Sequence, residues 1–193
     1  MTKKTFIFGL GNPGESYEKS RHNVGYQFLD YLRLKLDLES FSKKKKLQSL
    51  VSANNQLILV KPQTYMNSSG EALSKTLEFF LDENIVTTTK NDLFLKKLFI
   101  VHDDLDLELG SFKIQYAIGP KQHNGLLSIY QHLKTSSFWH VRVGIDSRGG
   151  DRTISPDKYV LQNFTSEEQV KIQSVFAQVL QKLSRISNLA TQQ

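Results

Sequence analysis

Residues 98–104 read Leu98-Phe99-Ile100-Val101-His102-Asp103-Asp104, in which four apolar residues stand together before a histidine and two acids. Apolar residues that do not alternate with polar ones are typical of a strand buried on both faces, as in the parallel sheet of an α/β protein. In such sheets the binding site lies beyond the carboxyl ends of the strands. We therefore expect a central strand here, with Asp103 just past its end.

Elsewhere the chain alternates short apolar runs with helical patterns, which also predicts an α/β fold. The predicted strands are Thr5–Gly11, Leu47–Ala53, Gln56–Lys61, Leu98–His102, Phe112–Ile118 and His140–Asp146. The predicted helices are Val24–Leu38, Ser69–Leu81, Leu126–Lys134 and Glu167–Leu189, the last with a capping box formed by Thr165 and Glu168. Asn54-Asn55 predicts a hairpin turn with positive φ, and Ser40–Lys46 and Asp82–Lys97 are predicted to be loops.

Length and composition limit the kinds of protein that this can be. With 193 residues, 39% of them apolar and 23% charged, residues 1–193 are expected to form one domain. The absence of cysteine excludes disulfides, thiolate metal sites and a cysteine nucleophile. The apolar runs are too short for a membrane span or a secretory leader. We expect a reducing compartment, either the cytoplasm or an organelle matrix.

The chain is basic. Twenty-five lysines and arginines against nineteen acids give a formal net charge of +6. Such an excess favours a polyanionic partner, and nucleic acid is the commonest one. The four consecutive lysines at 43–46 are read as a solvated surface loop in preference to a binding patch.

Gly9-Leu-Gly-Asn-Pro-Gly14 matches the G-x-G-x-x-G pattern of a dinucleotide-binding turn. That fold needs a helix to begin within the glycine turn, so that its amino terminus faces the pyrophosphate. Here the helical pattern begins only at Val24, and no second strand ending in an acid follows at the required spacing. Nucleotide-dependent oxidoreduction is therefore a disfavoured alternative. The glycines predict instead that the backbone closely approaches some other group.

Several polar residues lie in loops where they could form a hydrolytic site. His22 lies between the glycine turn and the first helix, and Asp103 could accept a hydrogen bond from its imidazole and favour its charged form. Asn12, Asn67 and Asn124 lie in glycine-containing loops, where amides can meet a carbonyl group or a water molecule. Hydrolysis without a metal or a cysteine needs a base, a group that orients it, and donors for negative charge.

A metal site is an alternative use of the same acids. His102-Asp103-Asp104-x-Asp106 places possible ligands together, but no His-x-His or His-x-x-x-His spacing accompanies them. Because acids at strand ends also serve as solvated caps, we expect no metal and no other cofactor.

Six segments share an order and spacing that identify a family. They are Gly9–Gly14 with Tyr17 and Arg21-His-Asn23, Lys61-Pro-Gln-Thr-Tyr-Met-Asn-Ser-Ser-Gly70, His102-Asp-Asp-Leu-Asp-Leu107, His123-Asn-Gly-Leu126, Arg142-Val-Gly-Ile145, and Tyr159-Val-Leu-Gln-Asn-Phe164. Each alone is weak, but together they closely resemble the bacterial-type peptidyl-tRNA hydrolases. The resemblance covers nearly the whole chain and implies a single α/β domain with a twisted mixed β-sheet flanked by helices.

The resemblance implies hydrolysis of the ester that joins a peptide to the 3′ ribose of tRNA. Carried over residue by residue, it makes His22 the general base that activates water and Asp103 the acid that orients it. The implied partner is peptidyl-tRNA, and we expect a cytoplasmic monomer that needs no cofactor and does not contact a membrane.

The same resemblance assigns substrate contacts to six further residues, and the strand position of Lys113 adds it as a second phosphate contact. Amides would hold the peptide, the scissile carbonyl and the water or oxyanion, apolar side chains would line the cleft, and cations would contact tRNA phosphates. The amides are those of Asn12 and Asn67, for the peptide main chain and the scissile carbonyl, and of Asn124, for the water or the oxyanion. The cleft would be lined by Tyr17 and Met66, and the cations are Lys113 and Arg142.

The chain departs from the family pattern at two places. Lys121-Gln122 precede His123 where the family commonly has glycines, and Gln115 stands where the family has the lysine of its phosphate clamp. Lys113, two residues earlier on the same strand face, could take over that contact. The altered loop also leaves open a non-catalytic RNA- or protein-binding relative, similar to a chloroplast intron-splicing factor.

Overall fold

The protein is described from a computed structural model covering residues 4–81 and 94–187. The strands in these ranges are β1 (Thr5–Gly9), β2 (Ser42–Lys44), β3 (Ser49–Ala53), β4 (Leu57–Pro62), β5 (Leu98–Glu108), β6 (Phe112–Tyr116) and β7 (Trp139–Asp146). The helices are α1 (Val24–Lys35), α2 (Ser69–Leu81), α3 (Asn124–Leu133), α4 (Pro156–Leu161) and α5 (Ser166–Ser187).

The strands form one mixed sheet in the order β2-β3-β4-β1-β5-β7-β6. The four central strands, β4, β1, β5 and β7, are parallel, while β2, β3 and β6 add antiparallel edges. The carboxyl ends of β1, β4, β5 and β7 therefore lie at one edge of the sheet. Leu98–Val101 is fully buried between β1 and β7, so the predicted central strand and the α/β fold class are confirmed.

Helices cover both faces of the sheet. One apolar cluster joins the sheet to α1 and α5 through residues such as Phe28 and Phe176. The other joins it to α2 and α3 through residues such as Leu73 and Ile129. The periodic apolar residues of these helices thus face the sheet, as their spacing predicts. No helix of the described ranges is long and apolar enough to span a lipid bilayer.

The glycine segment lets α1 lie directly on the sheet. A Cβ atom on Gly25 would come within 2.5–2.6 Å of backbone atoms of Leu10 and Val101, and one on Gly9 within 2.5 Å of the Gly25 carbonyl oxygen. The predicted close approach is therefore to the first turn of α1. It brings the residues just before α1, His22 among them, over the end of β1 and the neighbouring part of β5 that contains Asp103.

Three predictions of secondary structure are corrected. The strand predicted to end at His102 continues to Glu108, because β7 pairs with it beyond His102. Asp103 therefore lies inside β5, although it lies beyond the end of the neighbouring strand β1. The predicted loop at 40–46 contains β2, an exposed edge strand whose lysines give no apolar alternation. α4 was not predicted, because it is only six residues long.

The two remaining loop predictions have mixed outcomes. The Asn54-Asn55 hairpin is present, but neither residue has positive φ. Instead Asn54 Oδ1 accepts hydrogen bonds from the Gln56 and Leu57 N–H groups, both at 2.8 Å. Of the predicted loop 82–97, residues 82–93 lie outside the described ranges, and so does the predicted end of the last helix at 188–189. Phe94 and Leu95 are helical and buried.

Candidate active site

A cavity of about 580 Å³ opens at the carboxyl edge of the sheet. Its lining comes from the loop after β1, the turn before α1, the turn before α2, β5, the loop before α3, and α4. Of the residues predicted to form a site, those that line it are Asn12, His22, Met66, Asn67, Asp103 and Asn124. Parts of the chain as far apart as Asn12 and Leu161 are thus brought together where α/β sheets form their sites.

One carboxylate oxygen connects two imidazoles at the floor of the cavity. Asp103 Oδ1 lies 2.8 Å from His22 Nδ1 and 3.0 Å from His123 Nε2, and the two rings are 5.1 Å apart between centroids. The Asp103 side chain is 3% exposed and that of His22 is 12% exposed. The predicted pair of His22 and Asp103 is therefore in contact, with His22 open to the cavity.

The hydrogen bonds fix the tautomers of both rings. His123 Nδ1 accepts from the N–H groups of Gly125 and Leu126 at 3.1 and 3.4 Å, capping α3, so Nε2 carries the proton donated to Asp103. A neutral His22 donates from Nδ1 to the same oxygen, which leaves Nε2 as its basic nitrogen.

The electrostatics of the pair depend on Asp103. Burial alone would lower the pKa of His22, but the charge and hydrogen bond of Asp103 outweigh burial, and Asp157 adds to them, so this pKa is raised above its ordinary value. Burial would raise the pKa of Asp103, but His22 and His123 together hold it far below its usual range. Asp103 therefore stays ionised and makes His22 more basic.

Behind this pair, two further histidines are buried in the sheet. His102 Nδ1 donates to the Asp103 carbonyl oxygen at 3.0 Å, and the His102 ring lies 5.6 Å from that of His140. Burial, together with neighbouring His123 and His140, lowers the pKa of His102 well below its ordinary value. Burial lowers the pKa of His140 to about 4, with Ser136 opposing and Arg142 reinforcing the shift. Both rings are therefore neutral at pH 7.

Asn12 is held rigidly at the cavity wall. The Asn23 side chain accepts from the Asn12 N–H group at 2.8 Å and donates to its carbonyl oxygen at 2.9 Å. Asn12 Oδ1 in turn accepts from the Met66 N–H group at 2.9 Å. Within the described part of the chain, Asn12 Nδ2 has no hydrogen-bond partner, so it is a donor available to a ligand.

The other predicted substrate contacts have different surroundings. Asn67 and Asn124 are exposed at the cavity, where their amides are accessible to a ligand. Met66 is buried and supplies an apolar wall. Tyr17, by contrast, is half-buried and is not brought to this cavity, so its predicted place in the cleft is not supported.

The two predicted phosphate contacts also differ. Lys113 is exposed and pairs across β6 and β7 with Arg142. Arg142 is 8% exposed; its Nε donates to Asp104 Oδ2 at 2.6 Å and its Nη1 to Gln115 Oε1 at 3.0 Å. The charge of Arg142 is thus already neutralised inside the protein, which argues against a free phosphate contact there.

Three residues of the cavity were missed as site residues by the sequence reasoning. His123 shares Asp103, Asp157 raises the pKa of His22, and Lys121 is the one lysine or arginine among the described residues that line the cavity. A signal existed for His123, because it opens a motif segment and lies three residues before a predicted helix. Asp157 lies on the short helix α4, which the pattern did not reveal.

Among the described residues, one group could hold a metal ion, and it consists of His22, Asp103 and His123. Ligand atoms of His22, Asp103 and His123 lie within 4.8 Å of one another. The hydrogen bonds from both imidazoles to Asp103 already explain why these three side chains lie together. Of the acids that the sequence offered as alternative metal ligands, Asp103 belongs to this group, whereas Asp104 is bound by Arg142 and by the Asp106 N–H group.

An ionised acid beside a histidine that lines an open cavity, with amide donors near by, defines an α/β protein that can activate water for hydrolysis. A family model described as peptidyl-tRNA hydrolase matches residues 6–193. A peptidyl-tRNA hydrolase of Lawsonia intracellularis is 36% identical over 187 residues, covering 95% of this chain and 87% of the relative. The chain therefore belongs to the peptidyl-tRNA hydrolase family.

Two other relatives agree with this assignment. A peptidyl-tRNA hydrolase of Listeria welshimeri is 36% identical over 170 residues, covering 86% of this chain and 84% of the relative. The crystal structure of the peptidyl-tRNA hydrolase from Acinetobacter baumannii superposes with a TM-score of 0.80 at 28% identity, covering 97% of this chain and 90% of that one. The predicted family and the mixed α/β sheet are thereby confirmed.

Proposed function

We propose that this protein is an enzyme that hydrolyses the ester bond of peptidyl-tRNA, releasing the peptide and free tRNA, with His22 as the general base. The observation that carries the proposal is the 2.8 Å contact between His22 Nδ1 and the ionised, buried Asp103 at the floor of an open cavity. It leaves Nε2 of a neutral His22 as the nitrogen that takes a proton from water.

The reaction follows from these positions. His22 Nε2 removes a proton as water attacks the ester carbonyl, and Asp103 stabilises the imidazolium that results. The tetrahedral intermediate then expels the 3′ oxygen of the tRNA ribose, which regains a proton from His22. An ester is activated enough that a positioned water molecule suffices, and a positioned base contributes about 10²–10⁴-fold.

The amides suit a substrate with a variable side chain. Asn12 Nδ2 and the exposed amides of Asn67 and Asn124 are neutral groups that can bind the constant peptide backbone, the carbonyl oxygen or the water. One well-placed donor to the developing oxyanion contributes about 10²–10³-fold. Met66 offers a polarisable wall that adapts to different peptide side chains.

Further properties belong to the same proposal. Residues 1–193 form one domain, the protein works as a cytoplasmic monomer, and neither a metal nor another cofactor takes part. Cleavage is accordingly expected to be unchanged by chelators. The basic excess of +6 would supply affinity for the tRNA backbone without sequence choice.

The experiment is turnover of an N-acetyl-aminoacyl-tRNA by the wild type and by His22→Ala, with His132→Ala as a matched control at an exposed histidine away from the cavity. We expect His22→Ala to lose about 10²–10⁴-fold in kcat and the control to lose nothing. Equal activity in His22→Ala would remove His22 from the mechanism. A wild type that binds the tRNA but never cleaves it would favour the non-catalytic alternative.

A further inference from the structure

The 3-10 turn Arg21–Asn23 sends three consecutive side chains to three different partners. A 3-10 helix has three residues per turn, so successive side chains lie about 120° apart. Asn23 binds the backbone of Asn12, and His22 binds Asp103. Arg21 points away from both, toward α4 and α5, and the activity described above gives it no role.

Arg21 is buried in a dense set of contacts, and its side chain is 6% exposed. Its Nη2 donates to both carboxylate oxygens of Glu168 at 2.8 and 2.7 Å, and its Nη1 donates to the carbonyl oxygens of Asn163 and Gln162 at 2.5 and 3.3 Å. The guanidinium carbon also lies 4.4 Å and 5.2 Å from the ring centroids of Tyr159 and Phe164, respectively.

Glu168 is itself fixed in place at the start of α5. Its Oε2 accepts from the Thr165 N–H group at 2.8 Å, and its Oε1 accepts from Ser147 Oγ at 2.5 Å. Burial would raise its pKa, but these bonds and the charge of Arg21 lower it below the ordinary value. The pair is thus a contact between two charged groups in which the single nitrogen Nη2 meets both carboxylate oxygens, and hydrogen bonds between charged groups are shorter and stronger than neutral ones.

The same contacts tie the turn to a wall of the cavity. The Arg21 N–H group donates to the Gln162 carbonyl oxygen at 3.0 Å, and Ser20 forms a bridge with Asn163. Both partners directly follow α4, whose residues Val160 and Leu161 line the cavity beside His22. Arg21 therefore fixes how His22 stands relative to both Asp103 and this wall.

We propose that Arg21 and Glu168 are positioning residues: their ion pair holds the His22 imidazole on Asp103 and so keeps the chemical step fast. The inference rests on the proposed role of His22 as the base. A catalytic base displaced by about 1 Å can lose about 10²-fold in rate. If the turn Arg21–Asn23 becomes looser, we therefore expect kcat to fall while substrate binding changes little.

The first test is Glu168→Gln, which keeps an oxygen acceptor for Arg21 and removes the charge. We expect kcat to fall by about 10–100-fold with KM nearly unchanged. The groups that face His22 are Asp103 of β5, His123 before α3 and Asp157 of α4. Because Asp103 raises the pKa of His22, a looser contact between these two residues should lower that pKa. The acid limb of the plot of kcat against pH should then move to lower pH.

The double variant Arg21→Gln with Glu168→Gln separates positioning from stability. It leaves no unpaired buried charge, so its denaturation midpoint should recover relative to Glu168→Gln. Its kcat should stay low, because the contact is still missing. Recovery of kcat together with stability would overturn the proposal and leave the pair a purely structural role.

Thr165→Ala is the matched control. It removes the hydroxyl that accepts from the Glu168 N–H group at 3.2 Å and leaves every Arg21 contact in place. We expect a lower denaturation midpoint with wild-type kcat and an unmoved acid limb. An inactive His22→Ala beside a Glu168→Gln variant with wild-type kcat and profile would refute this inference alone. An active His22→Ala would refute the proposed function instead.

Discussion

The buried histidines of the sheet, His102 and His140, predict a loss of stability in mild acid, and the share of His140 can be worked out. His140 is fully buried, and within the described part of the chain neither of its ring nitrogens has a hydrogen-bond partner of acceptable geometry. The Ser136 carbonyl group is near enough to oppose the fall in its pKa only in part. A proton on this ring would thus be poorly stabilised in the folded state and freely hydrated in the unfolded one.

The size of the effect follows from the pKa of His140, which is about 4 in the folded protein against 6.5 for a solvated imidazole. Because the folded value is the lower one, this stability is fully present above pH 6.5 and is lost as the pH falls toward 4. Each change of one in pKa corresponds to about 1.4 kcal/mol, so His140 alone removes about 3 kcal/mol. His102 adds to the loss over the same range.

The assay is urea unfolding at intervals between pH 7 and pH 4, for the wild type, His140→Leu and His140→Gln. Both variants should lose about 3 kcal/mol of the pH dependence. His140→Leu should also be at least as stable as the wild type at pH 7, because no hydrogen bond is lost and two unpaired polar atoms are removed. An unchanged slope in both variants would refute the reasoning, since His140 would then not be the group that takes up the proton.

Four other substitutions, at Asp103, Gly25, Lys113 and Arg142, test the site and the fold. Asp103→Asn can keep an oxygen acceptor for both imidazoles while removing the charge, so kcat should fall about 10²–10⁴-fold and the acid limb set by His22 should move to lower pH in the kcat profile. Gly25→Ala should cost about 1–3 kcal/mol or more in urea unfolding, because its Cβ would meet backbone atoms at 2.5–2.6 Å. Lys113→Ala should weaken tRNA binding and flatten its salt dependence in a filter-binding titration, whereas Arg142→Ala should mainly cost about 3–5 kcal/mol of folding stability by leaving a buried carboxylate unpaired.

Elements whose burial follows from a local pattern of apolar residues could be predicted from the sequence. Leu98–Val101 is apolar throughout and is the buried central strand, and the helix over Ser69–Leu81 has the predicted bounds. Two features that depend on strand pairing could not be predicted. The extension of β5 past His102 exists because β7 runs beside it, and β2 exists because β3 offers it hydrogen bonds.

The site was predicted only as a set of residue types in loops. His22 and Asp103 are 81 residues apart, and the sheet order, which the pattern of apolar residues does not specify, brings them together. Their expected positions suggested that Asp103 could accept a hydrogen bond from His22, and the resemblance to a family gave the two residues their roles as orienting acid and base. It could not show that His123 would share the same carboxylate, since that depends on where α3 begins and on the turn of its cap.

The net charge of +6 does not say which cations are free to meet a tRNA. Arg142 and Arg21 both lie in motif segments, yet each is buried and neutralised by an acid, Asp104 for the first and Glu168 for the second. In this chain these two motif arginines are thus bound to acids inside the protein. Attraction for phosphates then has to come from exposed lysines such as Lys113, and its salt dependence should follow their number and not the number of motif arginines.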